Sequence, residues 1–93
     1  MYEIRYAQGA RRSLKRLRRG GSFPEEKFKE LLALFIFGKS IPMNFKDHAL
    51  QGNLLGRREC HLGFNLLVVY RRIEEFNIVT VLAIGTHPEL FGE

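Results

Sequence analysis

The chain has one cysteine, no tryptophan and only three prolines among its 93 residues. A lone thiol, Cys60, has no intramolecular disulfide partner and no second thiol for a redox or zinc pair, so a disulfide scaffold and a cysteine-rich metal module are excluded. The same scarcity fits a reducing compartment, and a cytoplasmic protein is the expectation. No apolar run nears the ~20 residues of a membrane-spanning helix. The longest, Leu31 to Phe37 and Leu66 to Tyr70, have the size of core segments. The opening MYEIRYAQ lacks a basic flank followed by an apolar stretch, so no export signal is read and the chain is expected to be mature as it stands. The length leaves room for one compact domain, residues 1–93, and none for a second. A composition of 45% hydrophobic and 27% charged residues excludes intrinsic disorder and fibrous repeats. A domain this small buries only roughly 60–65% of its unfolded surface, so a partner that covers apolar area would add to its stability.

Acidic residues are scarce where basic ones are dense. The formal charge is +5, and the first nineteen residues carry seven basic groups against Glu3 alone, while the remainder carries eight basic and nine acidic groups. Six of the basic residues, Arg11, Arg12, Lys15, Arg16, Arg18 and Arg19, fall within nine positions with no acid among them. Like charges three and four apart on a helix repel by a few tenths of a kcal/mol per pair, so an external polyanion is the natural complement: nucleic acid or an acidic protein. A merely solvated basic helix is the bland alternative.

Tyr2, Ile4 and Tyr6 alternate with Glu3 and Arg5, the period of a half-buried strand. Ala10, Leu14 and Leu17 then recur at helical spacing until Gly20-Gly21. Ser22 with Glu25 three residues on reads as a capping box opening a second helix, whose apolar face is Phe28, Leu31, Leu32, Phe35 and Ile36 and whose stop is Gly38. Lys39 to Gly56 has no period and many turn formers, the mark of a long loop with a functional purpose. Three strands follow, Arg57 to Leu62, Leu66 to Arg72 and Ile78 to Ile84, with turns at Gly63-Phe64-Asn65 and near Glu74-Glu75, and then a short tail from Gly85 to Glu93. Strand, two helices and an antiparallel β-meander predict an α+β domain with both helices packed on one face of the sheet.

The three histidines, His48, His61 and His87, fall in the long loop or at strand ends, which can meet on one rim of a sheet. Imidazole, with a pKa near ~6.5, serves as acid or base around neutrality. Spacing alone leaves open three unconnected surface histidines. A zinc site is disfavoured, because no two histidines stand four apart and Cys60, beside His61 in a strand, points to the opposite face. No metal and no cofactor are expected.

Taken in order, Asp47-His48-Ala49-Leu50-Gln51-Gly52, Gly56 followed by Arg58-Glu59-Cys60-His61, Leu67-Val68-Val69-Tyr70, and Gly85-Thr86-His87-Pro88-Glu89-Leu90-Phe91 resemble the segments of YafQ-like toxins in the RelE/ParE superfamily. The resemblance covers roughly residues 40–92, and the strand, basic helix and apolar helix upstream also match the superfamily pattern. It implies a RelE-like fold and a ribosome-dependent endoribonuclease that cleaves mRNA, neutralised by an acidic antitoxin. The implied catalytic residues are His48, His61 and His87, with His87 as general acid, His48 as base and His61 orienting or stabilising the phosphate. Phe91, Arg58 and Asn65 are implied to position substrate, with sheet support as an equal alternative for Arg58. The Arg11 to Arg19 face is implied to meet ribosomal RNA. The chain departs from the family pattern at Asn65, where an Asp is usual, at Leu66, where a Trp is usual, and at Ala83, where a basic residue is common. Those departures admit a weakened toxin or a non-catalytic module kept for antitoxin and nucleic-acid binding. ParE-like gyrase inhibitors lack the histidine set, which argues against that third reading.

Overall fold

In the computed structural model, residues 1–63 and 65–92 are described; Phe64, in the turn read at Gly63-Phe64-Asn65, and Glu93, at the end of the tail, lie outside them. Strand β1 (Glu3–Tyr6) leads into helix α1 (Gln8–Arg19) and helix α2 (Glu25–Ile36). A 3-10 turn at Met43–Phe45 and a two-residue strand β2 (His48–Ala49) follow, then β3 (Arg58–Gly63), β4 (Leu66–Ile73), β5 (Ile78–Gly85) and a short helix α3 (His87–Phe91). The five strands form one sheet in the order β1-β5-β4-β3-β2. The meander is antiparallel, as the pattern predicts, whereas β1 joins its far edge parallel to β5, with Ile4 opposite Val79 and Tyr6 opposite Val81. The α1–α2 hairpin supplies the helical crossover that such a parallel neighbour requires.

The core lies between the helices and one sheet face. Ala10 and Leu14 of α1 and Phe28, Leu31 and Phe35 of α2 pack with Cys60, Leu62, Val68, Tyr70, Val79, Val81 and Ile84 of the sheet. Every second residue of β3 and β4 points there, and the alternation survives in β5 through a bulge. Tyr70 pairs with Val81 and Val69 with Ala83, so the extra residue Leu82 returns Ile84 to the core side. Each fully buried Phe or Leu contributes ~1.5–3 kcal/mol relative to exposure. Gly38, at φ +63°, closes α2 where a Cβ would come within 2.8 Å of the Tyr2 ring, so the helix end can lie against β1.

Three local expectations are corrected. Ser22 and Glu25 form no capping box: α2 begins at Glu25 behind Pro24, and the Glu25 carboxylate instead accepts bonds of 2.8 and 3.0 Å from Arg18. That guanidinium takes the carboxylate that a capping box would turn back to the Ser22 backbone N–H, and it ties the two helices together. The capping box sits at Thr86 and Glu89 instead, folding the supposed tail into α3. Within the loop, His48 and Ala49 pair with Glu59 and Arg58 as an edge strand.

Candidate functional site

The sheet face turned away from the helices carries Glu59 and His61 of β3. The register runs His48 opposite Glu59, Glu59 opposite Val69 and Val69 opposite Ala83; the next row is His61, Leu67 and Gly85. His48, Glu59 and His61 therefore share one corner of the sheet. The Glu59 side chain is 7% exposed, and its Oε2 lies 3.2 Å from His48 Nε2 and 3.7 Å from His61 Nε2. The two imidazole rings stand 6.5 Å apart. Glu59 is the residue that sequence reasoning missed; the alternation of β3 puts it beside His61, but the signal for its pairing with His48 was hidden in a loop with no period.

The backbone fixes His48 from behind. Lys46 adopts the left-handed conformation (φ 51°), and its carbonyl faces His48 Nδ1 at 2.9 Å. Lys46 O and Glu59 Oε2 thus stand at the two ring nitrogens of His48 and fix the plane of its ring. Burial instead moves His61 below its ordinary pKa, against an opposing pull from Glu59, and the charges of Lys46, His48 and Lys27 add to the downward shift. One histidine is thus held between two oxygens, and the other sits where burial disfavours its charged form.

Arg58, by contrast, projects to the other face, in step with Cys60. Its Nε and Nη2 donate to Asp47 Oδ2 at 3.0 and 2.7 Å, and the buried Tyr70 hydroxyl donates to Asp47 Oδ1. The Asp47 side chain is 13% exposed. The bond to Asp47 raises the Arg58 pKa, and burial followed by Asp47 raises that of Tyr70. Of the two roles open to Arg58, the geometry favours support: Arg58 and Tyr70 grip Asp47 and so hold the loop that presents its neighbour His48. Burial pushes the Cys60 thiol up to about 12, which removes it as a nucleophile near neutrality.

His87 and Phe91 stand one turn apart on α3 with ring centroids 4.9 Å apart. The helix is short and owes its position to its cap: Glu89 N–H donates to Thr86 Oγ1 at 3.3 Å, and Thr86 N–H donates to Glu89 Oε1 at 2.8 Å. Gly85 permits the fold-back, since a Cβ there would meet Glu89 Oε1 at 3.0 Å and Leu90 at 3.2 Å. Gly85 lies two strands across from His61, about 10 Å at the usual strand spacing, and His87 follows two residues on, past the same sheet end. Asn65 lines a hollow of about 330 Å³ with Gly63, Leu66, Thr86 and Phe23. Among the described residues, no group of three or more His, Cys, Asp or Glu could hold a metal ion.

On α1 the cationic residues divide. Arg18 is committed to Glu25 and lies over the Phe23 and Phe28 rings, and Arg16 reaches Glu89 at 3.2 Å, so the offsetting acids come from outside the helix. Arg11, Arg12, Lys15 and Arg19 are exposed. Arg11, Lys15, Arg18 and Arg19 ring a groove of about 600 Å³ that is floored by Tyr6 and Leu14.

Residues 2–92 match the family model of the bacterial toxin of type II toxin–antitoxin systems, YafQ. The mRNA interferase toxin YafQ of Escherichia coli K12 is 33% identical over 67 residues, 71% of each chain. Two solved structures superpose over nearly the whole fold. A metal-bound toxin from Helicobacter pylori shares 30% identity at a TM-score of 0.87, covering 98% of this chain and 100% of its own. YafQ from the E. coli DinJ-YafQ complex shares 27% identity at a TM-score of 0.84, covering 99% and 100%. The chain belongs to the YafQ family of bacterial type II toxin–antitoxin toxins.

Proposed function

We propose that this toxin is a ribosome-dependent mRNA endoribonuclease, one domain over residues 1–93, acting in the cytoplasm and held in check by an acidic antitoxin. The observation that carries this reading is the pair of imidazoles, His48 and His61, bracketing the nearly buried Glu59, while His87 stands against Phe91 on α3. Cleavage by the RNA's own 2′-hydroxyl needs a base for its proton, positive charge for the developing phosphorane and an acid for the departing 5′-oxygen. His61, kept neutral by burial, takes the 2′-hydroxyl proton. His48, oriented between Lys46 O and Glu59, stabilises the phosphorane, which reverses the roles the resemblance suggested for these two. His87 delivers the proton to the leaving oxygen while Phe91 stacks on a base. Asn65 lies on the approach to α3 and contributes an amide to substrate contact. The exposed cations of α1 meet ribosomal RNA, which supplies the ordering of mRNA that so small a protein lacks.

The test is a cell-free translation system with purified toxin and primer extension on the message. Wild type is expected to cut only when ribosomes are present, and His87→Ala to slow cutting by ~10²-fold or more with antitoxin affinity unchanged. Tight antitoxin binding with no cutting by wild type would instead support the non-catalytic module to which Asn65, Leu66 and Ala83 point.

A further inference from the structure

We propose that Lys27 and Lys46, with Asn44 and His61, form a subsite for the RNA phosphodiester that flanks the scissile one. This rests on the nuclease reading above and adds where the strand runs from the cutting site. A hollow of about 350 Å³ is lined by Lys27, Asn44, Lys46, His61 and Gly63. Its place follows from the sheet edge: β2 pairs only with Arg58 and Glu59, so it leaves the edge of β3 from Cys60 to Gly63 uncovered, where the 3-10 turn at Met43–Phe45 packs. Both lysines are mounted on fixed parts. The Lys27 ammonium stands 5.1 Å from the centroid of the fully buried Phe45 ring. Lys46 occupies a left-handed turn, its carbonyl facing His48 and the next residue, Asp47, gripped by Arg58 and Tyr70.

The lining residues include two ammonium groups and an amide but no carboxylate, so the complement is an anion with acceptor oxygens. His61 lines this hollow and also faces Glu59, which makes the hollow continuous with the cutting site. The two cations reach the hollow from different elements, Lys27 from α2 and Lys46 from the loop. One strand of RNA passing over His61 would place its scissile phosphate at the histidines and its neighbour between the lysines.

Cutting of mRNA on ribosomes is measured for wild type, Lys27→Gln, Lys46→Gln and the double variant, with Lys27→Arg as rescue and Lys29→Gln as control. Lys29 is an exposed α2 residue outside the hollow. The double variant is expected to raise KM roughly tenfold with kcat little changed. It is also expected to flatten the salt dependence of 1/KM by about 0.7 in log–log slope, the value for one single-strand phosphate. Lys27→Arg and Lys29→Gln should match wild type. Should Lys27→Gln fail to fold for want of its contact with Phe45, Lys46→Gln alone must still raise KM. An unchanged KM and slope in a folded variant overturns the subsite. Weakened antitoxin binding with KM unchanged overturns it in favour of a protein contact. A wild type that fails to cut on ribosomes contradicts the nuclease reading, and the subsite falls with it.

Discussion

Glu59 is held almost out of water on the open face of a sheet, a costly position for a carboxylate unless cationic partners compensate. His48 and His61 face that carboxylate at 3.2 and 3.7 Å. The alternation in Arg57 to Leu62 was enough to put Glu59 and His61 on one face and Arg58 on the other, so the two roles left open for Arg58 were separable in principle. What the sequence concealed was the two-residue β2, too short for any period, which brings His48 opposite Glu59. The sign of the His61 shift gives a pH prediction. Burial lowers the His61 pKa and Glu59 opposes that, so the neutral base persists below the ordinary histidine value of ~6.5 and is lost as pH falls through the lowered one. The acid limb of the cutting-rate profile is expected below pH ~6.5. Glu59→Gln removes the opposing charge and should move that limb to lower pH still. A limb that moves upward, or stays fixed, would contradict the His61 assignment. The same linkage makes the stability contribution of neutral His61 fully present above ~6.5 and lost on acidification.

Long, strongly periodic elements were legible because their faces are read from spacing alone: Phe28, Leu31 and Phe35 mark α2, and the alternating run through Val68 and Tyr70 marks β4. Short elements were not, since their stability comes from caps and neighbours. Helix α3 has five residues and owes its place to the Thr86–Glu89 box, to Gly85 and to Arg16 on α1. Its sequence signal, Thr-x-x-Glu with proline in the first turn, was present but brief, and the similar signal at Ser22 failed because Arg18 claimed Glu25. Removing a cap of this kind costs ~0.5–2 kcal/mol, a large share of what holds one turn and a half of helix. Thr86→Ala is therefore expected to speed amide hydrogen exchange at Glu89 and Leu90 and to slow cutting, with exchange in β4 unchanged. Equal exchange in α3 before and after the substitution would mean that the box does not hold the helix.

At the scale of the molecule, charge and chemistry occupy different regions joined by α3. The exposed cations of α1 form one flank, the histidine corner lies on the far sheet face, and the Arg16–Glu89 pair links the basic helix to the one bearing His87. The composition revealed the basic flank at once, because the surplus is confined to the first nineteen residues. It could not reveal that His48 and His61 face one carboxylate, since that pairing depends on register. The account stands on His61 and His87 serving one phosphodiester from two sides. Single-turnover cutting on ribosomes by His61→Ala, His87→Ala and the double variant tests it directly. Groups that act as a unit lose their effect together, so the double variant is predicted to cut about as slowly as the slower single. Losses that multiply independently, or a His61→Ala variant as fast as wild type, would contradict it.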